Sequence, residues 1–130
     1  MGGFVQGSSG RILPTGAVQL NGASGNVANA TATATLAPAS GRTAWLTGFE
    51  LTGTGATGAS VIQDTVTGVL GGTMVYDVVI PASTAQQVAL IVEFSMPLQA
   101  SVAGGNIVVS SPAFGAGNTN ASVNAHGFYQ

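Results

Sequence analysis

Ionised side chains are scarce in this 130-residue sequence. They make up 5% of the residues, whereas a soluble domain carries about 25%. A free monomer normally stays soluble through a charged surface, so a chain with a mean hydropathy of +0.45 is expected to cover much of its exterior with copies of itself or with a partner. The composition therefore favours an assembly component over a freely diffusing enzyme. The charged residues are Arg11, Arg42, Glu50, Asp64, Asp77 and Glu93.

Cysteine and lysine are both absent. Without cysteine the chain has neither disulfides nor thiolate metal sites, so its stability has to come from packing. Neutralising several phosphates requires a cluster of Lys and Arg, and the sequence has two cations and a formal net charge of −2. We therefore expect no direct contact with nucleic acid.

Long apolar runs are missing as well. The longest purely apolar run, Val88 to Val92, is far below the roughly 20 residues that span a bilayer as a helix. Residues 1–7 do not combine a basic region with an apolar core, so no secretory signal is predicted. The expectation is synthesis in a cytoplasm and no membrane partner.

Side chains that could transfer a proton or act as a nucleophile in catalysis are few, because the sequence supplies one histidine, four carboxylates and no cysteine or lysine. His126 lacks a Gly-x-Ser-x-Gly elbow that would present a nucleophile to it. Asp64 and Asp77 would form a glycosidase pair only if they faced each other across a cleft, and hydrogen bonding to Thr or Arg at a rim is the expected role. A calcium-loop motif is missing too. We predict no enzyme, no cofactor and no metal site.

Strand-forming residues dominate the remainder, with abundant Val, Ala, Thr and Ser and 20 Gly. Alternation and turn signals predict seven or eight strands at the spacing typical of an all-β protein. The predicted fold is an antiparallel two-sheet β-sandwich, and a jelly roll is the economical form because it wraps its edges. The predicted strands are Val27–Leu36, Thr43–Thr52 with a bulge near Gly48, Ser60–Leu70 and Thr73–Ile80 as a hairpin joined by Gly71-Gly72, Val88–Phe94 as a buried strand, Ile107–Ser110 and Thr119–Tyr129.

The sequence divides into residues 1–26, rich in Gly, Ser and Gln, and a sandwich domain over residues 27–130. The first segment fits either an extended arm that orders on a neighbour or an irregular first strand. Its apolar residues, together with the aromatic cluster near residue 130, are the predicted interface. These interface residues are Phe4, Ile12, Leu13, Val18, Leu20, His126, Phe128 and Tyr129.

Aromatic side chains on the predicted strands have two interpretations. They fit a platform for a sugar ring, as in many β-sandwich lectins, or the packed core that aromatics at inward strand positions usually form. The core is the favoured interpretation. These residues are Trp45, Phe49, Tyr76 and Phe94.

Several short motifs between residues 40 and 130 resemble small structural proteins of tailed bacteriophages and prophages. They are Thr47-Gly48-Phe49-Glu50-Leu51-Thr52-Gly53, Val66-Thr67-Gly68 with Gly71-Gly72-Thr73, Val92-Glu93-Phe94 with Pro97-Leu98-Gln99-Ala100, Gly115-Ala116-Gly117-Asn118-Thr119, and Val123-Asn124-Ala125-His126-Gly127.

The resemblance implies a trimeric jelly-roll sandwich that decorates the capsid and binds the major capsid protein as cement. The expected location is the capsid surface of the virion. The alternative is a tail or head-fibre tip protein that binds a host surface glycan through loop aromatics and Asn or Asp side chains. A glycan hydrolase that uses Asp64 or Asp77 is a third class.

Overall fold

The structure, a computed structural model, describes residues 4–6 and 12–130, with side chains from Leu13 onward. Every regular element in this part of the chain is a β-strand. Ten strands follow one another along the chain. They are β1 (Phe4–Gln6), β2 (Ile12–Pro14), β3 (Val18–Ala23), β4 (Ala32–Leu36), β5 (Ala44–Thr54), β6 (Ser60–Thr67), β7 (Met74–Ile80), β8 (Gln87–Gln99), β9 (Ile107–Ser111) and β10 (Ala121–Tyr129).

Eight of these strands form two antiparallel four-stranded sheets. The first sheet has the order β3-β10-β5-β8 and the second has the order β4-β9-β6-β7, while β1 and β2 pair with each other. The predicted all-β, antiparallel two-sheet β-sandwich is confirmed.

Strand pairing within the sandwich is nested. The β6–β7 hairpin is the innermost pair, β5 pairs with β8 around it, β4 pairs with β9, and β3 pairs with β10 as the outermost pair. Each of these pairs is antiparallel, so the chain doubles back once and the resulting ribbon wraps into two layers.

The core lies between the sheets because alternate residues of each strand point inward. Leu36, Leu46, Phe49, Ile80 and Ile107 are among the largest fully buried side chains. Small residues of β4 and β10 complete the layer. These small residues are Ala32, Ala34, Ala121 and Ala125.

The strand predicted to start at Val27 is shorter than expected, because β4 begins at Ala32. Asn29 has a positive φ of 44°. Its backbone N–H donates to Asn118 Oδ1 at 3.0 Å, and its own Oδ1 accepts from the Gly115 backbone N–H at 2.9 Å. These bonds attach residues 28–31 to the loop before β10 instead of to a neighbouring strand. The strand predicted from the Ala/Thr alternation is therefore too long at its start.

The bulge predicted near Gly48 is confirmed by a register shift between Leu46 and Gly48. The shift changes which residues point inward: Ala44 and Leu46 are buried before it, and Phe49 and Leu51 are buried after it. Trp45 and Phe49 consequently lie on opposite faces of the sheet.

The predicted pairing of β6 with β7 is confirmed, and Met74, Tyr76, Val78 and Ile80 share the inner face of β7. The connection is longer than two glycines, since it runs over residues 68–73. Gly71 and Gly72 both have positive φ in it, at 90° and 103°. This region of φ is open to glycine and strained for other residues.

Two further segments form the edge strands of the first sheet, and the second of them differs from expectation. Val18–Ala23 is a strand that pairs with β10, so these residues lie within the sandwich sheet. The predicted buried strand Val88–Phe94 belongs to a 13-residue strand, β8, at the edge of the first sheet. It is buried on one side only, because Ile91 on its outer side is 69% exposed.

Candidate interaction surfaces

Asp64 and Asp77 lie at neighbouring register positions of the β6–β7 hairpin. Asp64 is opposite Tyr76, and Asp77 is opposite Gln63. Because side chains alternate along a strand, Asp64 points between the sheets and is 1% exposed, while Asp77 points outward. The two carboxylates do not face each other across a cleft, as a glycosidase pair must.

Asp64 lies in the apolar core and not at a rim, so the expected rim hydrogen bond is wrong for this residue. Neither of its carboxylate oxygens has a hydrogen-bond partner among the described residues, and neither does the nearby Ser111 hydroxyl. Burial raises the pKa of Asp64, and the nearby Ser111 hydroxyl, which lies outside hydrogen-bonding geometry, opposes that rise only weakly. Burial therefore disfavours the charged form of Asp64 relative to that of an exposed carboxyl group. Burial also raises the pKa of Tyr76.

His126 is the centre of a polar row on the outer face of the first sheet. Its Nε2 lies 2.6 Å from Glu50 Oε2, and its Nδ1 lies 3.0 Å from Asn21 Oδ1. The row crosses β3, β10 and β5, and the bulge in β5 helps to turn Glu50 outward. Both ring nitrogens contact an oxygen acceptor. The arrangement links three strands.

The aromatic side chains do not form a common platform. Phe49 is fully buried and contacts Tyr76 edge-on and Phe94 at a tilt, with ring centroids 5.4 and 6.4 Å away. Trp45 lies on the other face of the sheet and stacks on Phe128 at 5.9 Å. These contacts are typical of packing within a subunit, so the observed positions do not support a sugar platform.

The residues predicted as an interface occupy different environments. Phe128 is 4% exposed beneath Trp45, so its ring packs within the subunit. Leu20 packs partly against the core, and Val18 is exposed on β3. His126, Tyr129 and Leu13 are half-buried. The side chains of Phe4 and Ile12 lie outside the described residues.

A different set of apolar side chains is exposed, and most of it lies on three strands at one edge of the sandwich. Among the described residues, seven of the nine exposed large apolar side chains lie on β6, β7, β8 or the β6–β7 turn. Val61, Val75 and Val79 point outward from the second sheet, whereas Ile91 points outward from the first. The seven are Val61, Leu70, Met74, Val75, Val79, Ile91 and Met96, and the other two are Val18 and Val102.

The outer side of the β6–β7 hairpin forms what we name the valine face, which consists of Val61, Val75 and Val79 around Gln63 and Asp77. Val61 lies directly opposite Val79, which is 71% exposed. Gln63 Nε2 donates to Asp77 Oδ1 at 3.0 Å. The bond leaves the second carboxylate oxygen of Asp77 on the surface, so the face combines apolar area with one negative charge.

A second surface lies at the end of the sandwich formed by residues 37–43, 68–73 and 100–106, which we name the Arg42 end. Arg42 is exposed there, and its carbonyl accepts a hydrogen bond from the Gly104 N–H at 2.7 Å. The Ser101 N–H donates to the Gly68 carbonyl at 2.8 Å, which ties the β8–β9 loop to the β6–β7 turn. Leu70 and Val102 are exposed on these loops.

Near this end, the regular pairing of the edge strand β8 with β5 is interrupted. Leu98 pairs with Leu46, and Glu93 pairs with Gly48. Only Thr47 of β5 therefore lies opposite the four residues 94–97 of β8. Met96 projects from this excursion and is 80% exposed.

The valine face was not predicted, although the sequence carries a signal of it. Both sides of the predicted hairpin carry valines, so it lacks the polar outer side that a solvent-exposed sheet normally shows. The Arg42 end had no comparable signal, since its loops come from distant parts of the sequence.

Across residues 4–6 and 12–130, no group of three His, Asp or Glu side chains is placed to hold a metal ion. The same residues contain no helix long and apolar enough to cross a membrane. The sequence matches no protein-family model, no curated protein and no solved structure.

Proposed function

We propose that the chain is a structural protein of tailed-bacteriophage virions, which decorates the head as a trimer and binds the major capsid protein. The observation that carries this proposal is a nearly ion-free β-sandwich whose exposed large apolar side chains lie mostly on β6, β7 and β8, at one edge of the two sheets. A surface of this kind is suited to permanent contact in an assembly.

The strand order supports a jelly roll as the finer form of the fold. In a jelly roll a long antiparallel ribbon wraps into two sheets, and such a ribbon requires nested strand pairs. The pairs β6·β7, β5·β8, β4·β9 and β3·β10 have this arrangement. Viral capsid domains are among the proteins that use this architecture.

The proposed role is mechanical. Many copies on a head each add a modest contact, and their sum resists internal pressure through avidity. Since the contacts are mostly apolar, salt weakens them little. Such a role needs no catalytic group, no cofactor and no contact with nucleic acid, and it places the protein on the capsid surface after synthesis in the host cytoplasm.

The test is binding of the purified chain to DNA-free phage heads from the genome that encodes it, measured by co-sedimentation at about 0.1 M and about 1 M salt. We expect saturable binding that changes less than about threefold between the two, since apolar contacts are insensitive to screening. Electron microscopy of decorated heads should then show the protein at local three-fold positions. Absence of binding at both salt concentrations, or density on the tail alone, contradicts the proposal.

A further inference from the structure

We propose that the valine face of one copy packs against the Arg42 end of a second copy, with Asp77 of the first paired with Arg42 of the second. The inference rests on the proposed function, because it names the surfaces through which the copies associate. It differs from the predicted interface at residues 4–20 and 126–129.

The charges of the two surfaces are complementary. Asp77 is the only charged residue of the valine face. Gln63 Nε2 donates a hydrogen bond to one of its carboxylate oxygens, and the other oxygen is available to a partner. Arg42 is the only Lys or Arg in the described residues, and it makes no ion pair with any of them. A contact between two copies supplies each charge with the ionic partner that it lacks among residues 4–6 and 12–130.

The apolar parts of the two surfaces are complementary as well. Val61, Val75 and Val79 surround Asp77, and Leu70 and Val102 are exposed on the loops of the Arg42 end. Contact removes both apolar sets from water, which stabilises association in proportion to the area covered. An apolar centre with a few charged groups is typical of specific protein interfaces.

A contact between two different surfaces is favoured over a two-fold contact of the valine face with itself. Asp77 is the middle residue of β7, which spans Met74–Ile80. Two-fold packing of antiparallel copies about this point brings the two Asp77 carboxylates together, and like charges placed directly opposite each other are destabilising. Contacts between unlike surfaces close into a ring, such as a trimer, when the rotation from one copy to the next is the matching fraction of a full turn.

The experiment is charge reversal followed by sedimentation velocity over a range of protein concentrations. The variants are Asp77→Arg, Arg42→Asp and the double variant, compared with the wild-type chain. We expect each single reversal to weaken self-association at least about tenfold, since it places like charges across the contact. The double variant restores the pair with opposite polarity and should return association to within about threefold of wild type.

Two lysine substitutions serve as a matched pair that tests the apolar part. Val79→Lys places a charge on the valine face, and Ile91→Lys places one at a similarly exposed position on the edge strand of the other sheet. We expect Val79→Lys to weaken association at least about tenfold and Ile91→Lys to leave it unchanged. Both side chains are exposed, so the thermal unfolding midpoints of the two variants should match that of the wild type at concentrations where every chain is monomeric.

The inference is overturned if the wild-type chain is monomeric at every concentration, if the single reversals associate normally, or if the double variant fails to recover. Head binding by the same variants reports separately on the proposed function. A wild-type chain that binds heads but associates without regard to these substitutions leaves the function standing and removes the inference. If the chain associates as expected but does not bind heads, the inference stands and the proposed function is contradicted.

Discussion

His126 Nε2 lies 2.6 Å from Glu50 Oε2 and joins the two central strands of the first sheet, β10 and β5. The two side chains are 44% and 35% exposed, so water screens the pair. A double-mutant cycle with His126→Ala and Glu50→Ala, measured by urea unfolding, should give a coupling of about 0.5–1 kcal/mol at a pH where the imidazole is protonated. A coupling above about 2 kcal/mol would show that the pair contributes far more than an exposed pair should.

Replacing Asp64 should stabilise the sandwich at neutral pH. Asp64→Val removes a buried carboxyl that has no hydrogen-bond partner and puts in its place an apolar side chain suited to a strand. We expect a gain of about 1–3 kcal/mol in the free energy of unfolding at pH 7, because an unsatisfied buried polar group costs about that much. Asp77→Asn is the control, because its side chain is on the surface, and it should change stability by less than about 0.5 kcal/mol.

Stability of the wild-type chain should fall as pH rises through the range in which Asp64 ionises. Burial raises the pKa of Asp64 in the folded chain above its ordinary value of 3.8, so the unfolded chain loses this proton first. The contribution of Asp64 is therefore fully present below about 3.8 and is lost progressively as pH rises toward the folded pKa. Denaturant unfolding between pH 3 and 8 checks this. Asp64→Val should remove this fall in stability, and an unchanged pH profile in the variant would contradict the assignment.

Gly127 should tolerate no side chain. A Cβ at this position would overlap the Trp45 carbonyl oxygen and lie 2.9 Å from Leu36 Cδ1. We expect Gly127→Ala to cost at least about 1–3 kcal/mol of stability, because neither backbone nor core can move aside freely. Gly58→Ala is the matched control, since nothing lies within 4 Å of its added Cβ, and its unfolding midpoint should stay near that of the wild type. Equal midpoints for the two variants would contradict the close approach.

Phe128 should act through packing within the subunit. Phe128→Ala removes a 4% exposed ring that stacks on Trp45 and should cost about 3–5 kcal/mol in the free energy of unfolding. At temperatures well below its unfolding midpoint the variant should associate as the wild-type chain does. Tyr129→Ala truncates the half-buried neighbour and should cost clearly less. A stable Phe128→Ala variant that has lost self-association would instead make Phe128 an interface residue.

Much of the fold follows from sequence patterns that repeat every two residues. Asp64 and Val66 on β6, and Val78 and Ile80 on β7, point inward as their alternation predicts. The same rule over-extends β4, because the Ala and Thr residues before Ala32 keep the alternation while Asn29 binds the 115–118 loop. A long-range side-chain contact overrides the local pattern there, and one sequence contains no signal of it.

The candidate surfaces were harder to predict than the strands. Alternation shows which residues share a side of a strand, but the mostly apolar run Val88–Phe94 has no alternation that marks its solvent side, and so Ile91 was expected to be buried. The Arg42 end is formed by three loops that are far apart in the sequence and meet only through the nested strand pairing. Charge scarcity predicts that the exterior contacts another molecule, but it does not reveal which part of the exterior is apolar.

Nested pairing also sets the order in which the chain can fold. The β6–β7 hairpin closes a short loop, whereas β3 and β10 bring together residues about 100 positions apart, as Asn21 and His126 show. Loop-closure entropy makes the hairpin the cheapest pair to form early and the outermost pair the slowest. The valine face belongs to that hairpin, so we expect its apolar outer side to form while the rest of the polypeptide is still unfolded. Synthesis at high local concentration therefore exposes nascent subunits to premature contact with one another.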